Sequence, residues 1–288
     1  MKKNYLILII IVFSLNHSFA ITLDKVRFHN EKNDTITITH MLIDAYNAKF
    51  NSPNERIGHI ARQFLGLPYV AHTLEGDSEV LTVNIDELDC TTFVETVISM
   101  AYTVGEGRTS WHDYIHNLER IRYRDGKLNC YASRLHYISD WIINNSHRGN
   151  FSEVTDEFPN YSYKTKTLDF MTSNRKSYKS LSDDNEFEKL KNIEIGYHNH
   201  RFPYIKTSSL QRKSVRNKLK DGDIIALTTN IKGLDVSHMG LIAIIDGEPH
   251  LMHASMKAMK VIIDPLPLHK YLSNSKSLSG IRVIRLNH

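Results

Sequence analysis

The chain is predicted to fold as an α+β protein, with helices in its first half and an antiparallel sheet in its last third. Three observations carry this. Between residues 36 and 143 the apolar residues recur at helical spacing. From Asp221 onward the chain turns to β-branched runs broken by turn residues. Helices come first and strands afterwards, without the alternation that builds a doubly wound parallel sheet.

The first 20 residues read as an export signal. Lys2 and Lys3 make a basic start, Tyr5 to Leu15 is short and apolar, and Ser18-Phe19-Ala20 offers cleavage after Ala20. A membrane span needs roughly 20 apolar residues, more than this run supplies. No cysteine follows it for a lipid anchor, so the expectation is a soluble protein exported across the inner membrane, in the periplasm. The 288 residues carry a formal charge of +4, which becomes +2 without Lys2 and Lys3. Basic residues are scattered among acids and form no stripe, so no nucleic-acid partner is expected. Residues 21–288 are long enough for one catalytic domain with a sizeable core, and a monomer is expected.

Residues 36–65 read as helical, with Ile57, Ile60, Ala61 and Phe64 on one face after a Ser52-Pro53 start. Gly66-Leu67-Pro68 ends that helix in the usual glycine-then-proline order. A second helix starts at Cys90, capped by Asp89, with Phe93, Val94, Val97, Ile98 and Ala101 as its apolar stripe. A third begins at Ser110, with Asp113 completing a loose capping box and Trp111, Tyr114, Ile115 and Leu118 facing inward. Ser133 to Ile143 is a further amphipathic stretch. Residues 144–220 are rich in Asn, Ser, Lys and Asp with aperiodic apolar residues, and read as a polar insertion of long loops with one or two short helices. Strands are predicted at Ile224–Thr228, Met239–Ile245, His250–His253, Val261–Ile263 and Ile281–Leu286.

Two cysteines are too few for a disulfide framework. A Cys90–Cys130 bridge would consume Cys90, whose setting makes it the candidate nucleophile. A helix N-terminus favours the thiolate, the reactive form. The bland alternative is a small core residue, as most free cysteines are. Two histidines decide between them. His238 opens one strand, His253 lies in the next, and Asp246-Gly247 between them is a hairpin signal. A two-residue loop places His253 opposite Gly240, so His238 and His253 are diagonal neighbours on one face, roughly 7–8 Å apart at the backbone. A four-residue loop also keeps them on one face; a three-residue loop separates them. Cysteine catalysis needs this set: Cys90 as nucleophile, His238 as proton shuttle, His253 as its orienter, and the Cys90 N–H as an oxyanion donor. His112 and His116 stand i, i+4 on a helix, but Asp113 replaces the glutamate of a zinc motif and no third ligand is near, so neither metal nor other cofactor is expected.

Pro68-Tyr69-Val70, Asp89-Cys90-Thr91, Asp221-Gly222-Asp223-Ile224, His238-Met239-Gly240-Leu241 and Met252-His253-Ala254-Ser255 follow one another in an order that resembles the NlpC-type cell-wall hydrolases. The resemblance implies a papain-like fold, with the cysteine helix packed on an antiparallel sheet, and assigns Cys90, His238 and His253 as the catalytic trio. It places Tyr69 as a wall near the scissile bond and Asp89 and Thr91 beside the substrate. Thr91 stands where the family has serine, and Ala71-His72-Thr73 departs from its glycine pair, which argues against a γ-D-glutamyl endopeptidase. Leu88–Glu95 and Ser133–Trp141 are similar to the N-acetylmuramoyl-L-alanine amidase-like branch, associated with anhydro-muropeptide cleavage. That branch implies a peptidoglycan fragment as substrate. Arg134, His136, Tyr137 and Trp141 then suit a sugar site, against the plainer reading of a helix with an aromatic core stripe. The alternatives are the endopeptidase, a non-catalytic cell-wall binder, and acyl transfer by the same trio to an amine or hydroxyl.

Overall fold

Ser, Asn and Asp side chains start four of the first helices. In the computed structural model, which describes residues 21–287, these are α1 (Glu31–Ala48), α2 (Pro53–Arg62), α3 (Cys90–Gly105) and α4 (Trp111–Arg122), capped by Asn30, Ser52, Asp89 and Ser110. The export signal lies outside the described residues. The stretch read as one helix over 36–65 is two, because Lys49 takes a left-handed conformation and Ser52 re-caps the chain by accepting from the Glu55 N–H. The Ser110 cap accepts from His112, while Asp113 pairs with Arg108 instead of closing a box. Helix α5 spans Ile138–His147, later than the stretch from Ser133, since Tyr131–Ser133 forms a separate 3-10 turn.

The sheet is larger than the sequence suggests. Strands β1 (Val26–Phe28) and β2 (Leu81–Val83) pair in parallel apart from it. The main sheet is antiparallel and holds eight strands: β3 (Phe151–Glu153), β4 (Tyr161–Lys166), β5 (His200–Lys206), β6 (Ile224–Thr229), β7 (Val236–Ile245), β8 (Glu248–Ser255), β9 (Lys260–Pro267) and β10 (Leu278–Leu286). Its order is β4-β5-β10-β6-β7-β8-β9, with β3 also on β10. Residues 144–220 are therefore no loop-rich insertion: three of their strands extend the sheet beyond β10. Helices α6 (Phe170–Ser173), α7 (Asp184–Gly196) and α8 (Lys213–Arg216) lie in the same stretch, and α9 (Leu268–Ser273) precedes β10. Strand β4 escaped detection because it is an edge, reading Tyr-Ser-Tyr-Lys-Thr-Lys with partly exposed residues throughout; lysines on an edge discourage pairing with other chains. Its partner β5 carries Pro203, which reads as a strand breaker.

One core lies between α1–α5 and a face of the sheet, through Phe93, Val97, Trp141, Met239, Leu241, Met252 and Ala254. A second lies on the other face, with Ile225, Leu227, Ile242, Leu251, Leu268 and Leu272. Between them runs Asp221-Gly222-Asp223. Asp221 pairs with Arg62 at 2.7 Å, and buried Asp223 pairs with Arg285 at 2.8 Å and accepts from Asn54. Gly222, at φ 80°, lets the Asn54 carbonyl approach to where a Cβ would stand 2.1 Å away. This motif is structural: it fastens α2 to β6 and β10.

Candidate active site

Asp89 builds the start of α3. Its carboxylate accepts from the N–H groups of Thr91 (3.0 Å) and Thr92 (2.8 Å), and the Thr92 hydroxyl accepts from the Asp89 N–H (2.8 Å). Phe93 N–H continues the helix to the Asp89 carbonyl. The segment before the helix is fixed from both sides. Leu88 N–H donates to Pro68 and Val70 N–H to Leu88, while Tyr69 N–H donates to Met259 in the β8–β9 turn. Tyr69 thus stands between the cysteine and the sheet edge, and burial together with the nearby Cys90 and Asp89 raises its hydroxyl above the usual range.

The β7–β8 hairpin turns at Asp246-Gly247, both at positive φ (49° and 79°), the geometry of a two-residue type I′ loop. Its ladder runs Ile245↔Glu248 to Leu241↔Met252. Next in register come Gly240 and His253. A Cβ on Gly240 would lie 3.0 Å from that of His253, so glycine makes room for the ring. His238 Nε2 and His253 Nδ1 meet at 2.5 Å, with ring planes at 85°. Strand β7 carries one extra residue against β6 between Val236 and His238, a bulge at Ser237 that re-aims the chain beside the histidine. His238 is partly exposed and His253 only 2 % exposed behind it.

The Cys90 sulfur lies by the backbone of Met239, the residue after His238, and the N–H groups of Met239 and of Cys90 itself favour its thiolate. Thr91 Oγ1 lies 3.9 Å from the sulfur. Tyr271 of α9 closes the back: its ring packs on His253 at 5.6 Å, and burial, then the Asp264 carboxylate, raises its hydroxyl above the usual range.

The resting protonation differs from the expectation of a helix-activated thiolate. Burial, then the Asp89 carboxylate, pushes the Cys90 thiol up to about 11, overriding the backbone donors. Burial holds His238 down to about 4, and burial with His238 beside it holds His253 down to about 3. The site therefore rests as neutral thiol and neutral imidazoles, and suits proton transfer during attack.

A family profile described as AmiA-like, N-acetylmuramoyl-L-alanine amidase-like, matches residues 59–281. The chain belongs to this family. Crystal structures of an N-acetylmuramoyl-L-alanine amidase from Bacteroides uniformis are similar, at 37% identity over 82% of this chain and 99% of that one, with a TM-score of 0.77. A Bacteroides fragilis protein described as a xylanase is 41% identical over 78% of this chain and 99% of its own, with a TM-score of 0.73. A Legionella pneumophila protein, 23% identical over 89% of this chain and 95% of its own, shares the fold at a TM-score of 0.69. No curated protein matches the chain.

Within this amidase-like chain the structure sorts the remaining site candidates. Asp89 spends its carboxylate on the helix cap, and Thr91 and Tyr69 stand at the thiol. Trp141, 0 % exposed, packs on Phe151 at 4.5 Å and is core. Tyr137, 2 % exposed, donates to Glu194 at 2.6 Å and accepts from the Met171 N–H. Neither ring offers a face to a sugar, which corrects the sugar-site reading for both. His136 bonds the Tyr131 carbonyl at 2.8 Å, and burial with nearby Arg134 lowers it to about 3. Arg134 is clamped by Glu75 (2.9 Å) and Glu79 (3.4 Å) over the Tyr131 ring. Its charge is balanced within the protein. Sequence reasoning missed Tyr271 and Asp264; Asp264 ends the β-branched run of β9, two residues past Ile262, which pairs with His253.

Proposed function

We propose that this protein is a papain-like cysteine amidase that hydrolyses the bond between N-acetylmuramic acid and L-alanine in peptidoglycan fragments, anhydro-muropeptides among them. The observation that carries it is the His238–His253 pair at 2.5 Å, on a strand whose next residue, Met239, brings its backbone to the Cys90 sulfur, in a chain of the amidase-like family. The NlpC-type resemblance of the motifs supports the same assignment.

Cys90 Sγ attacks the lactyl carbonyl as neutral His238 takes the thiol proton, which offsets the raised thiol pKa at the moment it matters. The oxyanion is met by the Cys90 N–H, which Asp89 leaves free by capping Thr91 and Thr92 instead. His238 passes its proton to the departing L-alanine nitrogen, leaving a thioester. Water, deprotonated by His238, then releases the sugar acid. A glycosidase needs a pair of carboxyls across the scissile bond. Here Asp89 caps a helix and Asp264 stands behind a histidine, which favours an amide over a xylan substrate.

Export through residues 1–20 and action in the periplasm as a monomer complete the proposal. No helix among the described residues is long and apolar enough to cross a membrane. Mass spectrometry of an anhydro-disaccharide-tetrapeptide incubated with wild type and with Cys90→Ala tests the reaction. Free disaccharide and intact tetrapeptide from wild type alone are expected. Disaccharide-dipeptide would mean a γ-D-glutamyl endopeptidase instead.

A further inference from the structure

Three strands of the sheet place three side chains in a row. His238 on β7 and His253 on β8 are diagonal across one ladder. Ile262 on β9 pairs with His253, so Asp264, two residues on, is diagonal to it across the next. The β8–β9 register shifts between His250 and Met252, and the extra length falls on β9 at residues 264–266. That irregularity fixes Asp264: its Oδ1 accepts from the Leu266 N–H at 2.9 Å, and its carbonyl contacts His250 Nδ1 at 2.8 Å. Its Oδ2 faces His253 Nε2 at 4.0 Å, and that buried nitrogen has no hydrogen-bond partner. Besides Asp264, the groups facing His253 are His238 from β7 and the Tyr271 ring from α9.

We propose that Asp264 is a positioning residue that sets the tautomers of both histidines. The inference rests on the reading of Cys90, His238 and His253 as the catalytic set. A carboxylate can only accept, so it selects the His253 tautomer with hydrogen on Nε2. His253 Nδ1 then carries the lone pair and must accept from His238 Nε2 across the 2.5 Å contact. That leaves His238 Nδ1 as the free base for the thiol proton. Every donor in the row then points toward Asp264, and His238 Nδ1 is left as an acceptor, which proton abstraction requires. The 4.0 Å separation is longer than a hydrogen bond. It closes as positive charge develops on the pair, since catalytic hydrogen bonds are often long in free enzymes.

Two substitutions separate this role from simple packing. In Asp264→Asn the Leu266 N–H holds the amide oxygen, so the NH2 group takes the place of Oδ2 and donates to His253 Nε2. The row then reverses and His238 Nδ1 carries the hydrogen, the wrong tautomer known to disable a serine triad. Asp264→Ala removes the bias without reversing it. We expect Asp264→Asn to lower kcat about 100-fold or more, Asp264→Ala about tenfold, with KM within about twofold in both. A packing role predicts the opposite order, because Asn is the better fit. Iodoacetamide alkylation at pH 7.5, read at the Cys90 peptide by mass, supplies a substrate-free measure and should fall in the same order, with His238→Ala as reference. Equal rates in wild type and both Asp264 variants, or Ala slower than Asn, would overturn the proposal. If alkylation follows the expected order while no muropeptide is cleaved, the substrate reading fails and the Asp264 assignment stands. If His238→Ala leaves alkylation unchanged, the catalytic set itself is wrong.

Discussion

Gly240 lies under His253, and a Cβ there would stand 3.0 Å from the His253 Cβ and 2.8 Å from the Met252 carbonyl oxygen. Backbone on one side and the His253 ring on the other leave little to yield. Gly240→Ala is expected to displace the ring, lowering stability by about 1–3 kcal/mol as overpacking does. It should also lower kcat/KM at least about tenfold, because small misplacements of catalytic groups are costly. Urea unfolding alongside the amidase assay checks both; unchanged activity would mean that His253 has more freedom than the geometry gives it.

With His238 as the proposed base, its depressed pKa sets the acid limb of activity. The base must be neutral, and a group held down to about 4 protonates only as pH falls through that value, not near the ordinary 6.5. The kcat/KM profile should therefore be flat from neutral pH to about 5 and drop near 4. A limb centred near 6.5 would contradict the buried, neutral base.

Acid stability follows from the same burial. His136 and His253 have native values near 3 against 6.5 in the unfolded chain. Between those values the unfolded chain binds more protons, so stability is complete above 6.5 and is lost as pH falls below it. Each histidine contributes a slope of about 1.4 kcal/mol per pH unit in that window. Urea midpoints measured from pH 7 to 4.5 should decline, and less steeply in His136→Gln.

Tyr137 holds Glu194 and the Met171 amide in a buried network. Tyr137→Phe is expected to cost about 1–3 kcal/mol, the penalty for stranding buried polar groups, with KM unchanged. A raised KM at unchanged stability would restore Tyr137 to the substrate site.

Glu95, one turn beyond Cys90, forms a buried pair with Arg122 at 2.6 Å, and Arg122 also donates to the Thr82 carbonyl at 2.7 Å. Glu95→Ala leaves that guanidinium uncompensated and should cost about 3–5 kcal/mol. Thermal unfolding reads the loss directly, and a shift of only a degree or two would show that water reaches Arg122.

What could be read from the sequence followed from signals that act locally. Asp246-Gly247 specifies a two-residue turn, and the turn sets the register that brings His238 to His253. Asp89 caps a helix by short-range chemistry, which put Cys90 at its start. Signals that depend on tertiary context were not legible. Strand β4 alternates, but with its tyrosines on the exposed side and no buried position, and β5 contains proline. Tyr137 and Trp141 show helical periodicity, which cannot tell a buried stripe from a sugar platform. The thiol pKa depended on how deeply α3 is buried, a quantity that no motif carries. Asp264 was hidden because the Met256–Met259 turn has no signature that fixes the β8–β9 register.

The most direct measurement is the mass of the acyl group on Cys90 in protein acid-quenched during turnover of an anhydro-disaccharide-tetrapeptide. The amidase account predicts an adduct equal to the anhydro-disaccharide acyl group alone, on the Cys90 peptide and absent from Cys90→Ala. An adduct that also carries alanine and glutamate, or one that persists in Cys90→Ala, would contradict it.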